Sequence, residues 1–395
     1  MLITPPRQSP PTAVRPFQLK ETMRILQIAP LWERVPPPAY GGTESVVHLL
    51  TEELVRMGHH VTLCASGDSQ TSARLNAHYP RALRGADDIQ AKSYYVLQHA
   101  TLSLRDAPDY DIVHNHAGEE VMALSILVRD APMLTTMHCM ITSDTQHIWD
   151  DYSGHYNTIS AAQRRSLPPT RNGMFAGVVH NAVDVPSFPF QEEKGDDLLF
   201  LGRISPDKGP ETAIEVARRT GRRLIIAGKV DPADREYYKA RVEPLIDGHH
   251  IRYVGEADAR LKRILYKDAY AVLMPIDWEE PFGLVLAEAQ ACGTPVITFR
   301  RGAAAEIVLD GETGFVVTTT DQMVEAVGRV REIDPGACRK NVERRFDAPI
   351  MASNYVAMYR RILETEDVRI PAALKRASAE NGTKETKVKS TARVA

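Results

Sequence analysis

The stretch of sequence that decides the fold is residues 24–65, RILQIAPLWERVPPPAYGGTESVVHLLTEELVRMGHHVTLCA. It opens with the short apolar run Arg24–Ala29, which is typical of a buried β-strand. After Gly42, apolar residues recur at helical spacing until Gly58, and His60–Ala65 is a second strand-like run. A strand, a loop, a helix and a second strand in this order form a βαβ unit. Such a unit predicts a parallel, doubly wound α/β sheet.

The start of this helix carries the first candidate ligand-binding residues. Thr43 is the predicted N-cap, and Glu44 lies in the first turn, where the helix dipole favours a negative charge. Gly41 and Gly42 provide a backbone without side chains that a ligand can approach, although a plain turn is the simpler interpretation of the pair. The pair is not the G-x-G-x-x-G of nicotinamide enzymes, which argues against a dehydrogenase.

The alternation of strand-like and helical patterns continues along the chain. In the first half, the further predicted strands are Asp111–Asn115, Met133–His138, Tyr156–Ser160 and Gly177–His180, with a helix at Glu119–Leu127. In the second half, the predicted strands are Asp197–Leu201, Arg223–Ala227, Ile251–Val254, Ala271–Pro275, Pro295–Phe299 and Gly314–Val317. The predicted helices of that half are Glu211–Arg219, Asp258–Lys267 and Leu284–Ala291. Two such series predict two Rossmann-like domains, and ligands of open α/β sheets bind at the carboxyl ends of the strands.

The composition is that of an ordinary globular protein. The 395 residues are 43% hydrophobic and 25% charged with a formal net charge of -3, so no basic excess indicates a nucleic-acid partner. No apolar run is long enough for a membrane span. The cysteines are far apart, which argues against a cysteine zinc site and fits a reducing cytoplasm; they are Cys64, Cys139, Cys292 and Cys338.

The two ends of the chain differ from its middle. Residues 1–22 lack the apolar segment of a secretory signal, so we expect a disordered leader, with Met23 as a candidate alternative start. Residues 367–395 are polar and mixed in charge, and we expect them to be disordered as well. Between them, the loop-like stretch Asn181–Phe190 places the domain boundary at about residue 185.

The most informative stretch for chemistry is Asp277–Gly293, DWEEPFGLVLAEAQACG. Glu280 precedes a predicted helix, and Glu288 lies about one turn inside it. Phe282 and Gly283 lead into the helix start, whose free N–H groups suit a diphosphate. The first carboxylate can accept hydrogen bonds from sugar hydroxyls and the second from a ribose. The alternative is a pair of solvated glutamates, but the small residues around them indicate tight packing.

This stretch also carries a family resemblance. EPFGLVLAEAQACGTPVI, followed by RGAAAEIVLDGETGFVV, resembles the E-x7-E segment of the family 4 retaining glycosyltransferases. The resemblance extends from about Met23 to about Leu363 and implies the GT-B fold, two facing Rossmann-like doubly wound parallel-sheet domains with an inter-domain cleft. It implies an acceptor-side domain at residues 23–184, a nucleotide-sugar-binding domain at 185–348 and a helix at 349–366 that crosses back to the first domain.

The resemblance also assigns candidate residues. Arg203 and Lys208 of LGRISPDKG match basic residues that grip the donor diphosphate, and AYGGTE matches a glycine loop that approaches the diphosphate and the sugar. His138 of TTMHC matches a histidine beside the donor sugar, although a lone histidine is more often a core residue. His114 and His116 have no match, and they either cap the strand or line the acceptor side.

Further donor contacts are implied at the other end of the cleft. Glu280 would orient the transferred sugar and Glu288 would hold the ribose, with the helix start at Phe282, Gly283 and Leu284 against the diphosphate. The base would lie against backbone near Val254, so side chains do not distinguish uridine from guanosine or adenosine donors.

The implied reaction is the transfer of a hexose from a nucleotide-diphosphate sugar to an acceptor hydroxyl, with retention and without a covalent enzyme intermediate. Glucose and mannose are the sugars expected from their frequency in the family. We expect no cofactor and no metal, since we see no D-x-D pair placed as a metal-binding pair before the donor site and basic residues can replace a cation. The alternatives are a nucleotide-sugar epimerase of the same fold, a glycoside phosphorylase and a non-catalytic nucleotide-sugar-binding protein.

The acceptor stays open between a saccharide, a lipid-linked compound and a small metabolite, because loops vary on a shared fold. Arg164, Arg165 and Arg171 form a basic stretch. A solvated face is its favoured interpretation, and peripheral contact with the inner face of the membrane or an anionic acceptor is the alternative.

Overall fold

The computed structural model describes residues 21–39, 41–128 and 131–366. The expected disorder of residues 1–20 and 367–395 therefore lies outside the described residues. Within the part that is described, none of the helices combines the length and the apolar character needed to cross a bilayer.

The N-terminal domain is built on a parallel sheet of seven strands in the order β3-β2-β1-β4-β5-β6-β7. The strands are β1 Arg24–Ile28, β2 His60–Ala65, β3 Arg74–Ala77, β4 Ile112–Asn115, β5 Met133–Met137, β6 His155–Thr158 and β7 Met174–Val178. Its helices are α1 Gly42–Arg56, α2 Lys92–Arg105, α3 Glu119–Ser125, α4 Gln146–Asp151 and α5 Ala161–Ser166. The strand order reverses between β1 and β4, so the loops that follow these two strands open a crevice for ligands.

The C-terminal domain repeats this plan with six parallel strands in the order β10-β9-β8-β11-β12-β13. The strands are β8 Leu198–Leu201, β9 Leu224–Ala227, β10 Ile251–Tyr253, β11 Ala271–Met274, β12 Val296–Phe299 and β13 Gly314–Val317. Its helices are α6 Pro210–Thr220, α7 Arg235–Tyr237, α8 Ala259–Asp268, α9 Leu284–Ala291, α10 Ala304–Ile307, α11 Thr320–Arg329 and α12 Pro335–Arg345. Here the order reverses between β8 and β11, so the loops after these strands form the second wall.

The last helix, α13 at residues 348–366, packs on the first domain rather than on the second. Its buried side chains Tyr355, Met358 and Tyr359 lie in one apolar cluster with Ile25 and Leu134 of the first sheet. The chain thus passes between the domains twice. The two passages lie side by side, because the Val183 N–H donates to the Phe346 carbonyl at 2.9 Å.

The fold class predicted from the sequence is confirmed: two parallel α/β sheets face each other as in the GT-B fold. The sequence analysis did not predict β3, an edge strand without an apolar run, or the helices α2, α4, α5, α7, α10, α11 and α12. It placed the last strand of the first sheet at Gly177–His180, and the structure has it earlier, at Met174–Val178. That strand lies at the edge and is only partly buried, so it lacks the apolar run that marks the other strands.

The predicted capping role of Thr43 was wrong. Helix α1 begins at Gly42, so Thr43 lies inside the first turn, and the N-cap is Gly41, which has no side chain to cap with. Gly41 has a φ of 152°, and a Cβ there would lie 2.7 Å from the Cβ of Pro37. A side chain is therefore excluded at this position by both conformation and space.

The docking of α13 can be tested by removing one of its buried side chains. Met358→Ala should lower the free energy of unfolding by about 2–5 kcal/mol, because it leaves a cavity in the cluster that joins α13 to the sheet. Asn354→Ala, an exposed position of the same helix, is the matched control and should change stability by less than about 0.5 kcal/mol. Urea denaturation of the full chain measures both. Equal midpoints for the two variants would contradict the docking.

Candidate active site

A cleft of about 590 Å³ lies between the two domains and is lined by loops from both. A smaller cavity of about 140 Å³ shares Gly42, Arg203 and Leu284 with it, so the two form one continuous cleft. The sequence-predicted residues that line the larger cavity are Gly41, Gly42, His138, Arg203, Lys208, Glu280, Phe282, Gly283 and Leu284. Glu288 lines the smaller one. Residues from four separate parts of the sequence are thus brought together.

Glu280 is held in a fixed orientation by two donors. Lys208 Nζ lies 2.6 Å from Glu280 Oε2, and the indole N–H of Trp278 donates to the same oxygen at 3.1 Å. The ammonium of Lys208 also lies 4.6 Å from the centre of the Trp278 ring, a cation–π contact. Because both donors take Oε2, the other carboxylate oxygen can accept a hydrogen bond from a ligand hydroxyl.

Arg203 stands among carboxylates at the point where the two cavities meet. Its Nη2 lies 3.2 Å from both oxygens of Asp207, and Asp231 and Asp234 follow at 3.8 and 3.7 Å. Its Nε donates to Ser205 at 3.2 Å. The guanidinium is therefore positioned by its surroundings, and an arriving phosphate would share it with these carboxylates.

The start of α9 lies across the cleft from the glycine loop of the first domain. Its N-cap, Gly283, has a φ of 87° and provides no side-chain cap, so the first N–H groups of the helix are available to a ligand. A Cβ on Gly42 would lie 3.4 Å from a methyl carbon of Leu284, so the two walls come close here. Helix N–H groups facing a narrow cleft suit an anion such as a diphosphate.

Glu288 has one donor on each carboxylate oxygen. Lys262 Nζ lies 2.7 Å from Oε1, and the Tyr266 hydroxyl donates to Oε2 at 2.7 Å. The carboxylate is almost fully buried, and it lines the smaller cavity together with Lys262. The side chain of Val254, whose backbone is the predicted base contact, packs against an apolar cluster, and the residues Glu256 and Ala257 that follow it line the smaller cavity.

His138 reaches the cleft at the end of a hydrogen-bonded series of side chains. The side-chain oxygen of Gln27 can only accept, so His116 donates to it from Nε2 at 2.7 Å. Burial lowers the pKa of His116 well below its usual value, so the ring is neutral and its Nδ1 accepts. His138 must then donate from Nε2 across 2.9 Å, and its Nδ1 keeps a lone pair. Burial lowers the pKa of His138 to about 4, so this ring is neutral as well.

The C-terminal helix supports this series from behind. Gln27 Nε2 donates to the Tyr359 hydroxyl at 3.2 Å, and that hydroxyl lies 2.6 Å from His114 Nδ1. His114 in turn lies 2.6 Å from the Thr136 hydroxyl. The sequence left open whether His114 and His116 cap the strand or line the acceptor side, since nothing local shows that His114 would meet a tyrosine from the other end of the chain.

Glu44 lies in the first turn of α1, as the sequence predicted, and it is buried in the wall of the larger cavity, which the sequence did not indicate. Burial, assisted by the negative charge of Glu33, raises the pKa of Glu44 to about 7. The sequence missed the roles of Trp278 and Lys262 as well, since a tryptophan in a loop and a lysine on an exposed helix carry no local signal of a site.

The basic stretch has partners close by. Arg165 lies 3.8 Å from Glu306, Arg171 lies 3.4 Å from Asp150, and Arg164 stacks 4.4 Å from the centre of the Phe175 ring. Each of the three arginine side chains therefore contacts another residue of this chain. Across the described ranges, no group of three or more His, Cys, Asp or Glu side chains is arranged to hold a metal ion.

Comparisons with known proteins match both halves of the chain. The family model described as "Glycosyltransferase Family 4" matches residues 40–175, and the model described as "Glycosyl transferases group 1" matches residues 186–342. The glycogen synthase of Mycobacterium tuberculosis (strain ATCC 25618 / H37Rv) is 28% identical over 372 residues, covering 80% of this chain and 88% of the relative. The phosphatidyl-myo-inositol mannosyltransferase of Mycobacterium leprae (strain TN) is 26% identical over 378 residues, covering 85% and 96%.

A solved structure shows the same fold at lower identity. The crystal structure of HepE from Anabaena, in complex with UDP and glucose, superposes with a TM-score of 0.65 at 15% identity. The match covers 85% of this chain and 98% of that one.

The burial of Glu44 predicts a pH-dependent stability. The folded chain keeps this carboxyl protonated up to about pH 7, while an unfolded chain releases the proton near the ordinary value of 4.5. Stability is therefore lost as the pH rises through this window, by at most about 3 kcal/mol. Glu44→Gln should raise the melting temperature relative to wild type more at pH 8 than at pH 5.

The control for this measurement is Glu325→Gln, at an exposed position of α11. Differential scanning calorimetry should show that the melting temperature of Glu325→Gln differs from that of wild type by the same amount at pH 5 and at pH 8. A pH-independent effect of Glu44→Gln would contradict the burial of an uncharged carboxyl.

Proposed function

The chain belongs to the family 4 glycosyltransferases with the GT-B fold, and on this premise we propose a specific reaction. The enzyme moves a hexose from a nucleotide-diphosphate sugar to an acceptor hydroxyl, with retention of the anomeric configuration and without a metal ion. The observation that carries the proposal is the cluster of Lys208, Glu280 and Trp278 beside the uncapped start of α9. It combines a cation, a fixed carboxylate and free N–H groups within one cleft.

The arrangement of the cleft supports a defined orientation of the donor. The diphosphate would lie between Arg203, Lys208 and the start of α9, where positive charge and free N–H groups meet. The ribose would hydrogen-bond to Glu288 in the smaller cavity. The hexose would then extend into the larger cavity, within reach of Glu280 and His138. Glucose and mannose are the proposed sugars, in keeping with the names of the two relatives.

In the proposed reaction the acceptor oxygen forms a bond to the anomeric carbon on the face that the leaving group vacates. The bond from that carbon to the diphosphate oxygen breaks, and its electron pair stays on the diphosphate. The leaving phosphate oxygen accepts the proton of the acceptor hydroxyl. Arg203, Lys208 and the α9 N–H groups stabilise the charge that grows on the diphosphate, which is electrostatic catalysis by preorganised groups. Closure of the two walls would exclude water from the reacting centre.

His138 takes part as a neutral hydrogen-bond acceptor. The hydrogen-bond directions leave a lone pair on its Nδ1, and a lone pair can accept from a sugar hydroxyl but cannot protonate the leaving group. Its role is therefore to orient the sugar from the N-terminal wall, opposite Glu280.

The proposed function is tested first by donor binding. Uridine, guanosine and adenosine diphosphates, and their glucose and mannose derivatives, are added to the purified full chain in the presence of EDTA. We expect one base to raise the melting temperature by several degrees, because a ligand of the folded state stabilises by mass action. The same donor should then be hydrolysed slowly or transferred, with retention seen by NMR of the product. An epimerised donor or a strict phosphate requirement would support one of the alternative reactions instead.

A matched pair of variants separates binding from chemistry in the same assay. Glu280→Gln should lower kcat by about 10²–10³-fold and keep the nucleotide-induced shift, because the proposed donor orientation puts Glu280 against the sugar and not against the nucleotide. Glu279→Gln, the exposed neighbouring carboxylate, should keep near-normal turnover. Absence of a shift with every nucleotide, or full activity of Glu280→Gln, would reject the proposed function.

The direction of the histidine series gives a further prediction. His116→Phe removes the atom that accepts the His138 N–H, so His138 is no longer held in one tautomer. We expect kcat to fall about tenfold or more, with the donor KM nearly unchanged. His116→Asn offers an oxygen close to the position of the lost Nδ1 and should recover most of the turnover. Steady-state kinetics of the two variants decide the point. Equal losses in both variants would contradict the tautomer role, and a loss in His116→Asn alone would mean that the ring only fills space.

A further inference from the structure

The acceptor wall, defined as Trp32, Glu44, Arg84 and Glu119, is the part of the larger cavity that the proposed donor does not use. All four residues belong to the N-terminal domain: Trp32 follows β1, Glu44 lies in the first turn of α1, Arg84 lies between β3 and α2, and Glu119 begins α3 after β4. The hexose is held between Glu280 and His138, so a second substrate must approach along this wall. The chemistry of the wall therefore reports on the chemistry of the acceptor.

The first property of the wall is its charge. Among the described first-domain residues that line the cavity, Arg84 is the one lysine or arginine, and its guanidinium forms an ion pair with Glu33. Glu44 and Glu119 contribute carboxyl groups, and burial keeps His116 and His138 neutral. The donor side of the cleft offers a phosphate two cations, Arg203 and Lys208, whereas this wall offers one guanidinium, which is paired with Glu33, beside the carboxyl groups of Glu44 and Glu119. This wall therefore disfavours a phosphorylated acceptor.

The second property is an aromatic surface at the mouth of the cleft. Trp32 leaves 45% of its surface exposed, although large aromatic side chains usually bury most of theirs. Its loop is held in place by two backbone hydrogen bonds, Leu83 N–H to Leu31 at 3.0 Å and Arg84 N–H to Trp32 at 2.8 Å. An exposed indole on a loop whose backbone is held in this way can pack against the apolar C–H face of a sugar ring.

The third property is a pair of carboxyl groups prepared for hydroxyl donors. Glu119 Oε1 accepts from the Trp149 indole N–H at 3.2 Å, which fixes this side chain and leaves its second oxygen for a ligand. Glu44 is buried in the same wall, on the first turn of α1. Carboxyl oxygens accept hydrogen bonds from neighbouring hydroxyls, and a ring with several hydroxyls can satisfy both groups.

We infer that the acceptor is an uncharged saccharide whose ring stacks on Trp32 and whose hydroxyls donate to Glu44 and Glu119. This inference rests on the proposed function, because the donor must occupy the C-terminal side of the cleft. It excludes a phosphorylated sugar or polyol and an anionic phospholipid as the preferred acceptor.

The experiment compares acceptor classes with the donor that stabilises the protein. Neutral mono- and oligosaccharides form one set, hexose phosphates and inositol phosphate a second, and vesicles containing phosphatidylinositol a third, with products detected by mass spectrometry. Transfer to the neutral set at a higher kcat/KM than to the other two is the expected result. Preferred transfer to a charged set, or no transfer to any saccharide, overturns the inference. Failure of all donors to bind would instead reject the proposed function, so the two failures are distinguishable.

Variants of the acceptor wall test the stacking role of Trp32 directly. Trp32→Ala should raise the KM for the saccharide about tenfold, while Trp32→Phe, which keeps a ring, should stay within a few-fold of wild type. Tyr94→Ala removes an exposed aromatic outside the cleft and should leave the KM unchanged. The nucleotide-induced thermal shift verifies that each variant is folded. Equal KM values for wild type and Trp32→Ala overturn the stacking role.

The sign of the charge effect is an independent check. Glu119→Gln should raise the KM for an uncharged saccharide, because an amide is a weaker acceptor than a carboxylate. For an anionic acceptor the same variant would remove a repulsion and lower the KM. A lowered KM therefore contradicts the inference, whichever acceptor is used.

Discussion

The ion pair between Lys208 and Glu280 is the interaction on which the arrangement of the cleft depends. The two residues are far apart in sequence but follow β8 and β11, which are neighbours in the C-terminal sheet. Close packing fixes the two loops against each other: the Asp277 N–H donates to the Asp207 carbonyl at 2.9 Å, and a Cβ on Gly209 would lie only 2.2 Å from the carbonyl oxygen of Pro275. Because the loops cannot shift independently, the cation, the carboxylate and the start of α9 keep their relative positions.

The second constraint comes from the C-terminal helix. Helix α13 packs on the first domain and there places Tyr359 against Gln27 and His114. A structural feature that looks remote from catalysis therefore sets the hydrogen-bond direction at His138. The two domains also meet directly, because the Glu306 carboxylate of α10 accepts from the Ala161 N–H at the start of α5 at 2.9 Å. This contact supplies a negative charge at a helix N-terminus, where the dipole favours it.

The two walls of the cleft differ in electrostatic character. The C-terminal wall combines Arg203 and Lys208 with helix N–H groups, and every cation there is matched by a carboxylate in the absence of donor. Such pairing keeps the buried charges compensated until a diphosphate arrives. The N-terminal wall presents carboxyl groups, neutral histidines and an exposed indole. Sugar transfer requires stabilisation of a charged leaving group and recognition of hydroxyl groups. The C-terminal wall suits the first task and the N-terminal wall suits the second.

The sequence by itself determined the fold class, most of the strands and the candidates Glu280 and Glu288, and its resemblance to a known family added Arg203 and Lys208. These features are local: alternating apolar runs, glycines at turns and a glutamate pair of fixed spacing leave a trace in any window of the chain. Only the tertiary structure decided which residues are the partners of these candidates, such as Trp278 and Tyr266. It also decided the hydrogen bond between His114 and Tyr359, which are 245 positions apart in the sequence. It also decided that Glu44 is buried, because burial depends on which surfaces meet when the two domains and α13 pack together. No pattern within a single segment shows which residues this packing will bury. The edge strand β3 was missed for a different reason, because it buries too few of its residues to show an apolar pattern.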